Sequence, residues 1–324
     1  MKRIFITWEK FSTRSHNQAR HFDAKEIYIY PFGGSKRLFA LMTRYSWSFV
    51  LTLKALWAER ADVIFCLNQP PFLVLAVYLY TRVRGGVYVL DSHSAAFNDP
   101  KWAWFRPMYR VVAKRAFVNI NTNERHRQLV QSWGGRSIII SDVPIDHEEL
   151  YEPLELDQNS VAVVASYMFD EPIEAIFEAA ATCPEIRFYV TGDKAKLSDV
   201  IVRNLPANVT LTGYLPRQDY YRLLVSARAV MVLTTRDDTM QMGAYEALSL
   251  GRPIITSEWK VLRDSFGDAA LYVDNTPASI AQAVTAMVTG HEEFRRRAIA
   301  QRQLRRRSFE EARAQINELL KQVS

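Results

Sequence analysis

Between Thr234 and Ser257 the chain reads TTRDDTMQMGAYEALSLGRPIITS, a short polar loop that leads from a buried strand into a helix. The first turn of such a helix leaves backbone N–H groups without intrahelical partners, and the helix dipole adds positive potential there. Gly243 and Ala244 fall at that turn, where the backbone suits a diphosphate. Glu246 lies one turn further in, placed for its carboxylate to accept hydrogen bonds from ribose hydroxyls; a solvated helix residue is the plainer alternative. Asp238 stands eight positions earlier, on the loop, where it can meet a sugar.

A second group lies in VYVLDSHSAAF (87–97), a buried strand that ends on Asp91, Ser92 and His93. Polar residues at the C-terminal tip of a strand in a doubly wound sheet face the ligand cleft. His93 is a candidate for sugar contact or proton handling, since neutral imidazole both donates and accepts near neutral pH. The competing reading is a structural histidine tied to Asp91.

The elements that must hold these residues alternate along the whole chain. Strand-like RIFITW (3–8), EIYIY (26–30), DVIFCL (62–67), VYVLDS (87–92), FVNINT (117–122) and SIIIS (137–141) are separated by longer segments. That is the βα order of a parallel, doubly wound sheet. YEPLELDQNS (151–160) lacks apolar periodicity and marks a boundary. After it the alternation restarts with SVAVVAS, RFYVTG, NVTLTG, AVMVLTT, PIITS and LYVD, with helices expected at 172–181, 217–227, 243–250, 277–288 and 291–322. The expected class is α/β, with domains at 1–154 and 155–305 and a final helix, 306–324, that can return to the first.

Residues 160–290 resemble the family-4 glycosyltransferases. The spacing Asp238 to Glu246 followed by GRPII (251–255) matches the family's acidic pair, Gly, Pro and buried strand, and NVTLTGYLPRQDYYRLLVSARAVMVLTT (208–235) matches the block before it. The resemblance implies a GT-B fold, two Rossmann-like domains facing across a cleft. It also implies transfer of a sugar from a nucleotide diphosphate sugar with retention of configuration, no metal and no further cofactor. It places Tyr214 and Leu215 against the base edge. The chain departs from the family in two places. Asp238 stands where Glu is usual, and SYMFDEPIEA (166–175) carries none of the cations that usually clamp the diphosphate; Arg236 and Lys194 are candidate substitutes, with a solvated loop residue the favoured alternative for Arg236. In GT-B enzymes the loop after the first strand, here 8–22 with Arg14 and His16, commonly meets a phosphate, so Arg14 either holds one or is an exposed loop arginine. NQPPFLVL with DSH is also similar to the mannosyltransferase that extends dolichol-linked chitobiose, which implies inversion instead.

Composition narrows the partners. At 324 residues, 48% hydrophobic and 23% charged, the chain has the balance of a globular enzyme of two cores. Cys66 and Cys183 are far apart in apolar surroundings and read as buried small residues. No signal-peptide core precedes Glu9, and Asn68, Gln69, Pro70 and Pro71 interrupt the longest apolar stretch, so a peripheral protein at the cytoplasmic face of a membrane is expected. Residues 1–150 hold 21 Lys and Arg against 12 Asp and Glu, the remainder 20 against 23. This asymmetry favours an anionic partner for the first half, and no base-reading module points to nucleic acid.

In residues 37–57 the expected core stripe is Leu38, Leu41, Met42, Tyr45, Phe49, Leu53 and Leu56, opposite Arg37, Ala40, Arg44, Trp47, Leu51 and Lys54. Cations interleaved with Trp and Leu suit an anionic membrane interface, although a helix packed on both sides has the same pattern. The acceptor expected is a lipid-linked or polysaccharide glycan. The rival reading is a catalytically degenerate GT-B subunit that partners an active enzyme, and the absent clamp supports it.

Overall fold

The computed structural model describes residues 1–31, 38–92, 96–97, 100–141, 143–145, 151–237 and 239–322, without the side chains of residues 38 and 39. They divide into two compact units, residues 1–144 with 307–324 and residues 145–306. The division falls before the expected boundary at 154 because the intervening segment packs on the second unit. Ile145 is already in that unit's core, the Leu154 N–H donates to Ser226 Oγ at 2.6 Å, and Tyr151 meets Tyr221 edge-on at 5.1 Å.

The first unit contains β1 (Arg3–Thr7), α1 (Thr13–His21), β2 (Lys25–Tyr28), α2 (Leu38–Glu59), β3 (Val63–Leu67), α3 (Pro71–Arg84), β4 (Val87–Ser92), α4 (Arg106–Arg115), β5 (Val118–Asn121), α5 (Glu124–Ser132) and β6 (Ser137–Ile139). Its sheet is parallel, in the order β2-β1-β3-β4-β5-β6. Every residue of β3 is buried, the mark of a parallel strand covered on both faces. Proline at the first turn of α3 sits where its missing N–H has no partner to lose, and Gly85, with φ of 85°, turns the chain out of the helix.

Two expectations change here. Residues 13–21, read as loop, form α1: Ser12 Oγ accepts from the Ser15 N–H at 3.3 Å and caps a helix with no apolar periodicity. The stripe of α2 is also rotated. Its fully buried line is Ser48, Thr52 and Leu56, flanked by Tyr45, Phe49 and Leu53, whereas Met42 is 61% exposed. The reason is Trp8, whose buried indole N–H needs an acceptor and takes Thr52 Oγ1 at 2.8 Å, while Thr52 donates to the Ser48 carbonyl. Hydroxyls thus occupy positions where an apolar count expects carbon.

The second unit contains β7 (Ser160–Val163), α6 (Ile173–Ala181), β8 (Arg187–Thr191), α7 (Asp199–Arg203), β9 (Val209–Gly213), α8 (Arg217–Ser226), β10 (Ala229–Val232), α9 (Met242–Ser249), β11 (Ile254–Ser257), α10 (Lys260–Phe266), β12 (Ala270–Val273), α11 (Pro277–Thr289) and α12 (His291–Lys321). Its sheet is parallel in the order β9-β8-β7-β10-β11-β12, the doubly wound arrangement with three strands on either side of one reversal. The last part of α12 belongs to the first unit, where Phe309, Ala312, Ile316 and Leu320 join the core. Among the described residues no helix is long and apolar enough to cross a membrane.

Candidate functional site

In the second unit the winding reverses between β7 and β10, and ligands of such sheets bind outside the strand C-termini at the reversal. Two loops meet there. The Thr235 N–H donates to the Asp170 carbonyl at 2.7 Å, and its hydroxyl reaches the same oxygen at 3.2 Å. The root of the β10 loop is fixed from the other side: Thr234 donates to Ser257 Oγ at 2.9 Å, while its carbonyl accepts from Trp259 Nε1 at 2.9 Å and Asn275 Nδ2 at 3.0 Å. A loop held at its root by β11 and β12 delivers α9 in a defined place.

Gly243 is buried in the first turn of α9, and the residue before that helix, Gln241, makes no side-chain cap. The backbone N–H groups of this turn are not closed off by the side chain best placed to do so. A Cβ on Gly243 would stand 2.7 Å from Val164 Cγ1, so only glycine lets the helix start approach the end of β7. Ala244 turns its methyl into the core, which leaves its backbone as the part available to a ligand.

Glu246 is half-buried on the same helix. Its Oε2 accepts from the Tyr220 hydroxyl at 2.6 Å and its Oε1 from the Tyr221 hydroxyl at 3.3 Å. Burial, then the Glu246 charge, raises the pKa of both tyrosines above the ordinary phenol value, so at neutral pH both are donors and the carboxylate is the acceptor. The two hydroxyls fix the orientation of the carboxylate, which stays partly exposed. Sequence reading passed over this pair, and the signal was the QDYYRLL run on the helix after the base-reading block.

The other expected residues are placed unevenly. Tyr214 follows the turn at Gly213 and is 88% exposed, while Leu215 packs partly into the core. Arg236 is exposed on the β10 loop with its guanidinium 6.0 Å from the ring of Phe169, itself 84% exposed on the β7 loop. Lys194 is exposed after β8, and its neighbour Lys196 donates to the Ser166 carbonyl of the β7 loop at 2.8 Å. That loop is closed by an acid: Glu171 accepts from the N–H groups of Ser166 and Met168 and from the Ser166 hydroxyl. Asp238 lies outside the described residues.

In the first unit Asp91 is 1% exposed at the tip of β4 and Arg14 is 6% exposed on α1. They form a bidentate pair, Nη2 to Oδ1 at 3.1 Å and Nε to Oδ2 at 3.2 Å, and Arg14 also donates to the carbonyls of Ile140 and Ser141. Arg14 is thus a buried helix residue rather than an exposed loop arginine, and its charge meets that of Asp91, as a buried carboxylate requires. The two cross-link α1, β4 and the segment after β6. His16 pairs with Glu26 at 2.9 Å, and His93 lies outside the described residues. Among the described residues no three His, Cys, Asp or Glu side chains gather closely enough to hold a metal ion.

The fold has known counterparts. Residues 163–289 match the family described as glycosyl transferases group 1. No curated protein matches the chain. Among solved structures, sucrose-phosphate synthase from Thermosynechococcus elongatus superposes with a TM-score of 0.74 at 13% identity, covering 100% of this chain and 99% of that one. HepE from Anabaena in complex with UDP-glucose gives 0.70 at 13% identity, covering 99% and 100%. A glycosyltransferase from Rickettsia africae gives 0.66 at 11% identity, covering 99% of each. With two parallel six-stranded sheets and these superpositions, the chain has the GT-B fold, and residues 163–289 of its second unit are similar to the group 1 glycosyltransferases, which resemble family 4.

Proposed function

We propose that the chain transfers a glycosyl unit from a nucleoside diphosphate sugar to a hydroxyl of a lipid-linked or polysaccharide glycan at the inner face of a membrane. The observation that carries this reading is the start of α9, where Gly243 and Ala244 present backbone beside a carboxylate, Glu246, that two tyrosines hold in place. In this reading the N–H groups of Gly243 and Ala244 take the diphosphate, Glu246 takes the ribose, and the backbone at Tyr214 and Leu215 takes the base. Arg236 and Lys194 supply positive charge, Asp238 meets the sugar, and His93 contacts the sugar or handles the proton. Donors fixed before reaction stabilise the charge that grows on the departing diphosphate without reorganising. UDP is the first nucleotide to try, because HepE, which has the same fold, is known in complex with UDP-glucose. Family 4 resemblance supports retention and independence of metal.

The membrane part rests on the outer side of α2. Met42, Trp47, Val50 and Trp57 are exposed there beside Lys54, whereas Arg44, expected among the membrane-facing cations, is half-buried against Tyr30. Arg37 lies outside the described residues. Among the described residues the face is therefore more apolar and less basic than the sequence suggested, which favours insertion over attraction.

The second reading, a subunit that binds without catalysing, is favoured by the β7 loop, where Glu171 rather than a cation closes the turn. Calorimetric titration with UDP, GDP and ADP, followed by donor turnover, tests both. Tight binding of one nucleotide with turnover supports the transferase; binding without turnover supports the subunit; no nucleotide binding overturns the proposal.

A further inference from the structure

A cavity of about 350 Å³ opens at the C-terminal ends of β1, β2 and β3, wholly within the first unit. That is within the size range of small-ligand pockets. Trp8 comes from the end of β1 and Tyr30 from the end of β2, α2 contributes Arg44 and Tyr45, and the turn before α4 contributes Lys101 and Trp102. The cavity lies at the reversal of this sheet, between β1 and β3.

Its walls combine two chemistries. Trp8 and Tyr45 stack at 6.1 Å, with the Trp8 indole pinned by Thr52. Four aromatic rings around a small volume offer flat apolar surfaces of the kind that pack against the C–H face of a pyranose. The cations are set on those same rings. The Arg44 guanidinium lies 5.4 Å from the centroid of Tyr30 and 5.5 Å from that of Tyr45, and Lys101 Nζ lies 4.4 Å from Trp102. Arg44 also donates to the Tyr30 hydroxyl, at 3.4 Å, and among the described residues it is paired with no carboxylate. A guanidinium has five donors in a planar fork that matches carboxylate and phosphate, and aromatic faces leave most of them vacant. Glu9 and Gln69 complete the lining with groups suited to sugar hydroxyls.

We infer that this cavity binds a saccharide unit that carries an anionic group, a sugar phosphate or a uronic acid, with the ring on the aromatic walls and the anion on Arg44 and Lys101. Calling that saccharide the acceptor rests on the transferase reading; its binding here does not. The anion has two sources, a carboxylate on the sugar or a phosphate that joins it to a lipid, and α2 lines the cavity with Arg44 and Tyr45 while turning Met42 and Trp47 outward.

Calorimetry on the full chain, with UDP present in excess to occupy any nucleotide site, decides. Glucose 1-phosphate and glucuronate are expected to bind at least tenfold more tightly than methyl glucoside. Arg44→Gln is expected to remove that difference while melting at the wild-type temperature and binding UDP unchanged. Lys101→Gln should weaken the phosphate more than the carboxylate if the lipid-linked source is the natural one, and both equally if the uronate is. Methyl glucoside binding as tightly as the charged sugars, inorganic phosphate alone matching glucose 1-phosphate, an unchanged Arg44→Gln variant, or no binding of any probe overturns the inference. A chain that binds these sugars but not UDP would overturn the donor-site reading instead and leave this one standing.

Discussion

The tips of β4 and of β10 carry polar residues to corresponding edges of two similar sheets and put them to opposite uses. At β4 the carboxylate of Asp91 is buried and saturated by Arg14, whose remaining donors close on the carbonyls of Ile140 and Ser141. Past β10 the carboxylate of Glu246 is half-exposed and held by two neutral hydroxyls, beside a helix start that its preceding side chain does not cap. A charge neutralised by its own chain fixes a fold. A carboxylate that hydroxyls orient and that stays partly exposed can still be reached by a ligand. The difference is visible only in three dimensions, because both segments present an acid after a buried strand.

The comparison breaks most sharply at the buried pair. Asp91→Ala leaves the Arg14 guanidinium uncompensated, and removing one partner of a buried ion pair costs about 3–5 kcal/mol. Chemical denaturation is expected to show a loss of that size, with nucleotide affinity of the folded protein unchanged. A variant that keeps wild-type stability but loses turnover would assign Asp91 to catalysis instead.

Glu246→Ala should do the reverse. Loss of two charge-assisted hydrogen bonds to ribose amounts to roughly 3 kcal/mol, about a hundredfold in UDP affinity. Stability should fall far less, since the carboxylate is only half-buried. An unchanged dissociation constant for UDP would remove Glu246 from the site.

Much of this contrast had no counterpart in the residue pattern. All the strands and most helices of the second unit are readable, because buried parallel strands appear as continuous apolar runs and their connections as amphipathic ones. α1 escaped because TRSHNQARH has no apolar face, and only the Ser12 cap marked it. The outward side of α2 was misread because Trp8 recruits Thr52 into the core, a contact between residues 44 positions apart. The pairing of Arg14 with Asp91 was not legible for the same reason: 77 positions separate them, and nothing local shows that each is the other's partner. Glu246 was legible from its place on the helix, its tyrosine supports were not.

Tyr220→Phe sharpens the comparison at smaller scale. It removes the shorter of the two bonds to Glu246, and a single hydrogen bond to a charged group is worth about 1.5–3 kcal/mol at most, less where the orphaned acceptor can reach water. UDP affinity should drop by about tenfold, through the position of Glu246 rather than its presence. The pH profile gives a second check. Because the folded pKa of Tyr220 is raised, its contribution to stability is full below about pH 10, the unfolded phenol value, and is lost as pH rises towards the folded one. The alkaline slope of stability should therefore be shallower in Tyr220→Phe. An identical slope and unchanged UDP affinity would mean that Glu246 does not depend on the tyrosine.

The smallest effect is expected at Glu171, which tests whether the β7 loop belongs with the closed or the open kind of carboxylate. Its oxygens accept from two backbone N–H groups and one hydroxyl, so it resembles Asp91 in being saturated by its own chain. Yet those donors are N–H groups of a loop at the sheet reversal, the type of group that also binds phosphate. Glu171→Gln keeps an acceptor oxygen and removes the charge. If the carboxylate only closes the turn, stability should fall by less than about 1 kcal/mol, as for other partly exposed contacts, and UDP affinity should stay within about threefold of wild type. That is the expected outcome, since Lys196 and the Asp170 contacts hold the loop independently. A clear gain in UDP affinity would show instead that Glu171 fills the place of a phosphate, and the β7 loop would then belong with α9 rather than with the buried pair of the first unit.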